Sequence, residues 1–381
     1  MNINSKNDIS GSLISYFSNK VKLHGGINLA QGIPGYDPPE RLISTLSSIL
    51  DKNYHQYAPG TGNNDLLDSI KSLYPNVNNQ TRFFITSGAT EAISLIYTYL
   101  NKKLNKDLNV LTFSPAYESY IHLPKIFDNK IYTYKISSDE FFEENDFKDF
   151  FHKNKIKLIF VASPGNPYGR ILSKSKMEFL INLCMENDAY IIIDAVYKDL
   201  YYIDSPPYYP TDIINPNIFY VNSFSKKFSI TGWRVGYLLM HETHFKGLSY
   251  IHDYTGLSSP APLQQAIAIF LNTPEAKNYT DDLRTKIFKN LESASDKLNS
   301  NNYYCNKIEG GYFIWAKLPD GIQDSLQFSL SLYEKTRTAV IPGIHFGDEW
   351  KNFIRVNIAR EENELLKGVD SLINYISHSI Y

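Results

Sequence analysis

Five short stretches of this chain carry side chains that could do chemistry, and several follow apolar runs. In SFSKKFSITGWRVG, Ser223 to Gly236, Lys226 is followed eight positions later by Arg234. A lysine amine can form an imine with an aldehyde, and its pKa falls near another cation or out of water. Arg234 can hold phosphate oxygens by a two-pronged contact, and Ser223 can add a hydroxyl. Taken alone, the stretch reads equally well as a surface loop with a Lys-Lys pair.

In YIIIDAVY, Asp194 ends a strongly apolar run. A carboxylate there is costly to bury unless a cation pairs with it, and a protonated pyridine nitrogen is such a cation. Tyr197, three residues on, could reach a phenolic oxygen on the same ring. In SPGNPYGR, Asn166 precedes a proline, which biases its backbone away from helix and lets the amide point outward. In TSGATEA, Thr86 to Ala92, a turn at Gly88, Ala89 and Thr90 opens a helix, where free N–H groups bind phosphate. In FSPAYESY, Tyr117 could stack on a planar ring, though one tyrosine among 29 is more often packing. Each of these four is, by itself, better read as an ordinary cap, turn or core residue.

The elements that must position these groups alternate. RFFIT, NVLTF, IKLIFVA, YIIID and IFYVNSF read as short strands. ATEAISLIYTYL and the amphipathic stretch from Lys174 to Glu186 read as helices between them. Strands of unbroken apolar character alternating with helices predict an α/β fold with a parallel sheet covered on both faces. Ligands of such sheets sit at the carboxyl ends of the strands, where these polar residues fall. A short helix is expected over Gly11 to Val21. After about Pro274 the pattern changes to a long helix to about Ser300, short strands at YFIWAKL and NFIRVNIA, and a last helix, a smaller α+β body. The expected division is an N-terminal segment 1–40 packing with the small domain, a large domain 41–273 and a small domain 274–381.

Together, SGATEA, SPAYESY, SPGNPYG, DAVY, SFSKKFSITGWRVG and FIRVNIA resemble the class I/II aminotransferases, the fold-type I enzymes of pyridoxal 5′-phosphate (PLP). The resemblance runs from about Asn28 to Arg360, and its spacing is the strong part. Asn166 to Asp194 is 28 residues, Asp194 to Tyr197 three, and Lys226 to Arg234 eight. It implies a mostly parallel seven-stranded sheet between helices. It also implies that Lys226 holds PLP as a Schiff base and shuttles the α-proton. Lys227 stands one position out of the pattern. Asp194 would pair with the pyridine nitrogen, and Tyr197 and Asn166 would bond the phenolic oxygen. Tyr117 would stack on the ring, while Ser223, Arg234 and the Gly88-Ala89-Thr90 turn would hold the phosphate. Arg355 would clamp the substrate carboxylate, with Gly32 lining that end and Tyr36 as a pocket wall. Tyr57 resembles the tyrosine that reaches the phosphate of a partner subunit, which implies a homodimer.

Within the family the resemblance is greatest to the methionine, kynurenine and glutamine-phenylpyruvate group, through LAQGIPGYDPP, HQYAPGTG and IHDYTGLSSPAP. Relatives that prefer dicarboxylates carry an arginine near SSPAP, and Tyr254 to Pro262 holds no Arg or Lys. Aspartate is therefore expected to be a poor donor, and a large apolar, thioether or aromatic side chain a good one. The same site could run β-elimination from cysteine conjugates, or serve biosynthesis of an unusual amino acid. The aminotransferase-like half of a transcription regulator fits less well, since no DNA-binding domain fits before Gly11. A net charge of −2 gathers neither nucleic acid nor anionic lipid. Two cysteines imply no disulfide framework, and no apolar run reaches the length of a membrane span. The polar start MNINSKNDIS carries no secretory signal, so a cytoplasmic protein is expected. The residue pattern implies no metal.

Overall fold

The computed structural model describes residues 11–105, 107–137 and 141–377. The opening MNINSKNDIS lies outside them, as do the outer ends of the expected first and last segments. Seven strands form the main sheet: β1 (Thr81–Thr86), β2 (Val110–Ser114), β3 (Ile131–Lys135), β4 (Leu158–Ala162), β5 (Tyr190–Asp194), β6 (Ile218–Ser223) and β7 (Gly236–His241). Their order is β1-β7-β6-β5-β4-β2-β3. β7 runs antiparallel to both neighbours, and the other paired strands run parallel.

The unbroken apolar runs have a physical reason. In β4, Leu158, Phe160 and Ala162 face one hydrophobic cluster while Ile159 and Val161 face another. Successive side chains of a strand point to opposite faces, so a sheet covered on both sides needs apolar residues at every position. The exception is β3, whose IYTYK alternates between half-buried and exposed because it is an edge strand. For the same reason it does not stand out in the sequence as a core strand.

Helices cover both faces. Lys174–Glu186 is capped by Ser173, whose side chain accepts from the Lys176 N–H, and it has the bounds expected from the sequence. The long helix runs Pro274–Asn299, with Pro274 at its first turn. Beyond it a four-stranded antiparallel sheet is ordered Ile341–Pro342, Phe353–Asn357, Phe313–Lys317, Tyr304–Cys305. The first helix is Leu13–His24, shifted by a few residues from the expected span and capped by Ser12. Strand Ile27–Asn28 pairs in parallel with Thr338–Ala339, which ties the chain's start to its last third.

Candidate active site

The carboxyl ends of β4, β5 and β6 open on one cavity of about 280 Å³, walled also by Gly32, Ala89, Thr90, Tyr117, Asn166 and Arg355. Asp194, the last residue of β5, is buried. Tyr120 donates its hydroxyl to Oδ2 at 2.6 Å, and the Val196 N–H donates to Oδ1 at 3.1 Å. Burial raises the carboxyl pKa, while those two bonds and the nearby Lys226 pull it back. An ionised carboxylate accepts at about four lone-pair sites, so two donors leave room for a cation. Tyr120 is held in place by stacking on Phe160, ring centroids 5.0 Å apart.

Lys226 leaves β6 in the single helical turn Phe224–Lys227. Its Nζ donates to the Gly32 carbonyl at 2.6 Å, and Tyr312 donates its hydroxyl to the same oxygen at 2.9 Å. The Lys226 pKa is lowered to about 7, first by burial, then by Arg355 and Arg234, with Asp194 opposing. Lys227, its neighbour on the turn, points elsewhere and pairs with Asp199 at 3.2 Å. The geometry thus separates two lysines that the sequence sets side by side.

An anion cradle closes one end. Arg234 has a left-handed backbone, φ 55°, and its Nη2 donates to the Ser87 carbonyl at 3.1 Å. Helix Ala89–Lys103 begins at Gly88 without any side-chain cap, so its opening N–H groups are offered to a ligand. Gly88 has φ +83°, and a Cβ there would lie 2.5 Å from Arg234 Nη2. Gly236, which begins β7 opposite Thr86, would bring a Cβ within 2.6 Å of the Gly88 carbonyl carbon. Both glycines exist because arginine, turn and strand converge. Ser223 and Ser225 add hydroxyls 2.9 Å apart.

At the other end lies Arg355, wholly buried in strand Phe353–Asn357. Nη1 donates to Asn166 Oδ1 at 3.0 Å and Nη2 to the Ala30 carbonyl at 2.7 Å. The guanidinium lies 4.2 Å from the Phe313 ring centroid and 5.1 Å from that of Phe346. Burial lowers its pKa to about 10, which leaves it cationic at neutral pH. Its Nε has no partner, and among the described residues no carboxylate lies within ion-pair distance of it. A buried cation so placed calls for an anion.

Of the residues singled out in the sequence, Tyr197 and Ser223 also line this cavity, with Asp194, Lys226 and Arg234. Tyr197 is buried with its ring edge-on to Tyr312, centroids 5.1 Å apart. Gly88 lies behind the wall, against Arg234. Tyr36 is not brought to the cavity wall: its hydroxyl donates to the Arg360 carbonyl at 2.7 Å and accepts from Asn290. Tyr57 is 82% exposed and does not line the cavity of its own chain. Sequence reasoning missed Tyr120, Ser225, Glu118 and Tyr312. Tyr120 and Glu118 were within reach, since they share the quoted stretch with Tyr117; Tyr312 carried no local signal.

The comparisons with known proteins give a family and a fold. The family model described as aminotransferase class I and II matches residues 24–372. A probable N-acetyl-LL-diaminopimelate aminotransferase of Bacillus subtilis is 26% identical, covering 96% of this chain and 92% of its own. An aspartate aminotransferase of Pyrococcus horikoshii is 24% identical, covering 93% and 92%. The solved structure of an Escherichia coli protein with a methionine aminotransferase function superposes at a TM-score of 0.85, 23% identical, covering 98% of this chain and all of that one.

Proposed function

Because this chain belongs to the class I and II aminotransferases, a family of pyridoxal 5′-phosphate enzymes, we propose that it transfers the amino group of a large apolar, thioether or aromatic L-amino acid to a 2-oxo acid. The single observation that carries the reading is the line of groups across one cavity: anion cradle, Asp194, Lys226, Arg355. The residues fit the cofactor. A phosphate matches Arg234, Ser223 and the uncapped helix start at Gly88. A ring cation matches the buried Asp194 carboxylate, and an aldehyde matches a lysine amine whose pKa lies near 7. When bound, the cofactor supplies an electron-accepting ring and a carbonyl that carries the amino group between two substrates.

The chain's own residues do the rest. Arg355 holds the substrate α-carboxylate through two donors, with Asn166 fixing the guanidinium plane. Lys226 takes the α-proton on Nζ and returns it, a role that suits an amine with a pKa near the working pH. Tyr120 and the Val196 N–H orient Asp194, whose carboxylate would pair with a protonated ring nitrogen of the cofactor. Tyr197 and Asn166, on the same cavity wall, would hold the phenolic oxygen of the cofactor, and Tyr117 would pack against its ring. The buried Tyr197, Tyr312 and Phe313 keep water from the proton transfer.

The donor class rests on two features: Ile14 and Ile33 wall the cavity, and Tyr254 to Pro262 holds no cation for a second carboxylate. Aspartate is the poor donor in this reading, although several relatives bear its name. Two further assignments belong to the proposal. The described parts of 41–273 and of 274–381 form separate bodies, and the described part of 1–40 packs on the second, a reading supported by the pairing of Ile27–Asn28 with Thr338–Ala339. The working unit is a cytoplasmic homodimer in which Tyr57 serves the partner's phosphate. Among the described residues no helix is long and apolar enough to cross a membrane.

Titration of the yellow protein with single amino acids tests the donor class. Methionine or phenylalanine should bleach the visible band at least tenfold faster than aspartate, and a 2-oxo acid should restore it. Faster bleaching by aspartate overturns the donor class, and no bleaching by any amino acid overturns transamination.

A further inference from the structure

Among the wall groups of the cavity that holds Lys226 and Arg355 is a carboxylate that the reaction described above does not use. Glu118 lines it, and it also lines a neighbouring cavity with His122, Lys125 and His345. Glu118 is the first residue of helix Glu118–Ile126, directly after Tyr117. A glutamate in a first turn complements the helix dipole, and a solvent-facing side chain would suffice for that. This one is turned inward: its side chain is 24% exposed, and Oε2 sits 3.3 Å from Nε2 of His345, itself 6% exposed. Among the described residues His345 is the one side chain within hydrogen-bond or ion-pair distance of Glu118. His345 packs edge-on against Phe346, whose ring also faces Arg355, so the pair is anchored to the carboxylate clamp. The Glu118 charge is near enough to act on the Arg355 guanidinium.

We propose that Glu118 is a specificity-determining residue. It rejects substrates whose side chain ends in a carboxylate and favours those whose side chain ends in an N–H or O–H donor. The proposal rests on the aminotransferase reading of this site and deepens it. A substrate whose α-carboxylate lies on Arg355 and whose α-carbon faces Lys226 has the remaining walls for its side chain. Those walls include Ile14, Ile33 and Glu118. Two carboxylates in a partly buried site repel strongly, whereas an amide, phenol or indole N–H meets a charged acceptor. The same logic applies to the 2-oxo acid, which must fit the same walls: a monocarboxylate is accepted and a dicarboxylate is disfavoured.

The test compares holoenzyme of the natural sequence with Glu118→Gln. L-Glutamine and L-glutamate have nearly the same shape and differ in the charge of the terminal group. The kcat/KM of each is divided by that of L-alanine, which has no terminal group to sense. The glutamine-to-glutamate ratio should fall at least fivefold in the variant, chiefly through a gain for glutamate. A smaller change overturns the inference. Glu118→Ser takes the place of the glutamine variant if that one does not fold. If no amino acid, alanine included, is turned over by the natural enzyme, the aminotransferase reading falls on its own. The wall charge is then read by calorimetric binding of succinamate and succinate to the same proteins, with the same fivefold criterion.

Discussion

Lys226 is the residue whose chemistry depends most on where it lies. Exposed, its amine would titrate near 10.5 and be almost wholly protonated at pH 7; burial beside two arginines brings it to about 7. In the cofactor-free protein, acylation of Lys226 followed by peptide mass spectrometry should show a midpoint near pH 7. A midpoint near 10 would contradict the burial. The same shift has a stability consequence with a definite sign. The folded pKa is lower than the unfolded one, so the unfolded chain binds the extra proton between pH 7 and 10.5. The cofactor-free fold should therefore gain stability as pH rises from about 7 to 10.5, lose that gain as pH falls back from 10.5 to 7, and show no further change from this group below 7. Tyr120 is the second residue to test. Tyr120→Phe deletes the 2.6 Å bond to Asp194 and leaves the ring on Phe160. Removing one hydrogen bond to a buried charge costs about 1.5–3 kcal/mol, so kcat should drop by roughly tenfold or more. A kcat within twofold of the natural enzyme would reduce Tyr120 to a packing residue.

At the scale of elements, the antiparallel β7 does what a parallel strand could not. It enters the sheet at the edge where β1 ends, so Gly236 lies opposite Thr86 and Arg234 lies beside Gly88. The helix start and the cation then face the same cavity. Gly88→Ala forces a Cβ against Arg234 at a backbone angle that side chains rarely adopt, φ +83°. It should weaken binding of pyridoxal 5′-phosphate by roughly tenfold or more, a cost of about 1–3 kcal/mol for backbone strain at a site of this kind. Binding of pyridoxal, which lacks the phosphate, should change far less. Equal losses for both, measured by absorbance titration, would mean that the fold rather than the cradle is damaged. The apolar runs of β4 and β5 made those strands legible; the direction of β7 was not, because an apolar run is the same read either way.

At the scale of the molecule, the chain leaves aromatic surface outside. Tyr57 is 82% exposed and Tyr254 79%. Two large rings left in water suit a surface that a second copy covers. Sedimentation at micromolar concentration should give a mass near twice 43.7 kDa. A monomer at that concentration that still turns over substrate would remove the reason for assigning Tyr57 to a partner's site. Tyr36, expected as a pocket wall, instead turns its hydroxyl to the Arg360 carbonyl, 324 residues along the chain.

The linear order of residues determined the family and the strands whose carboxyl ends carry Asp194 and Ser223. Those follow from types and spacings along one chain, such as the eight residues from Lys226 to Arg234. Only the tertiary structure decided that Lys227 pairs with Asp199, that Tyr120 holds Asp194, and that Glu118 faces the cavity beside His345. Those contacts join segments up to 227 residues apart, Glu118 and His345 being the furthest. No local period or motif records them, because they exist once the sheet, the last strands and the first helix have closed around one space.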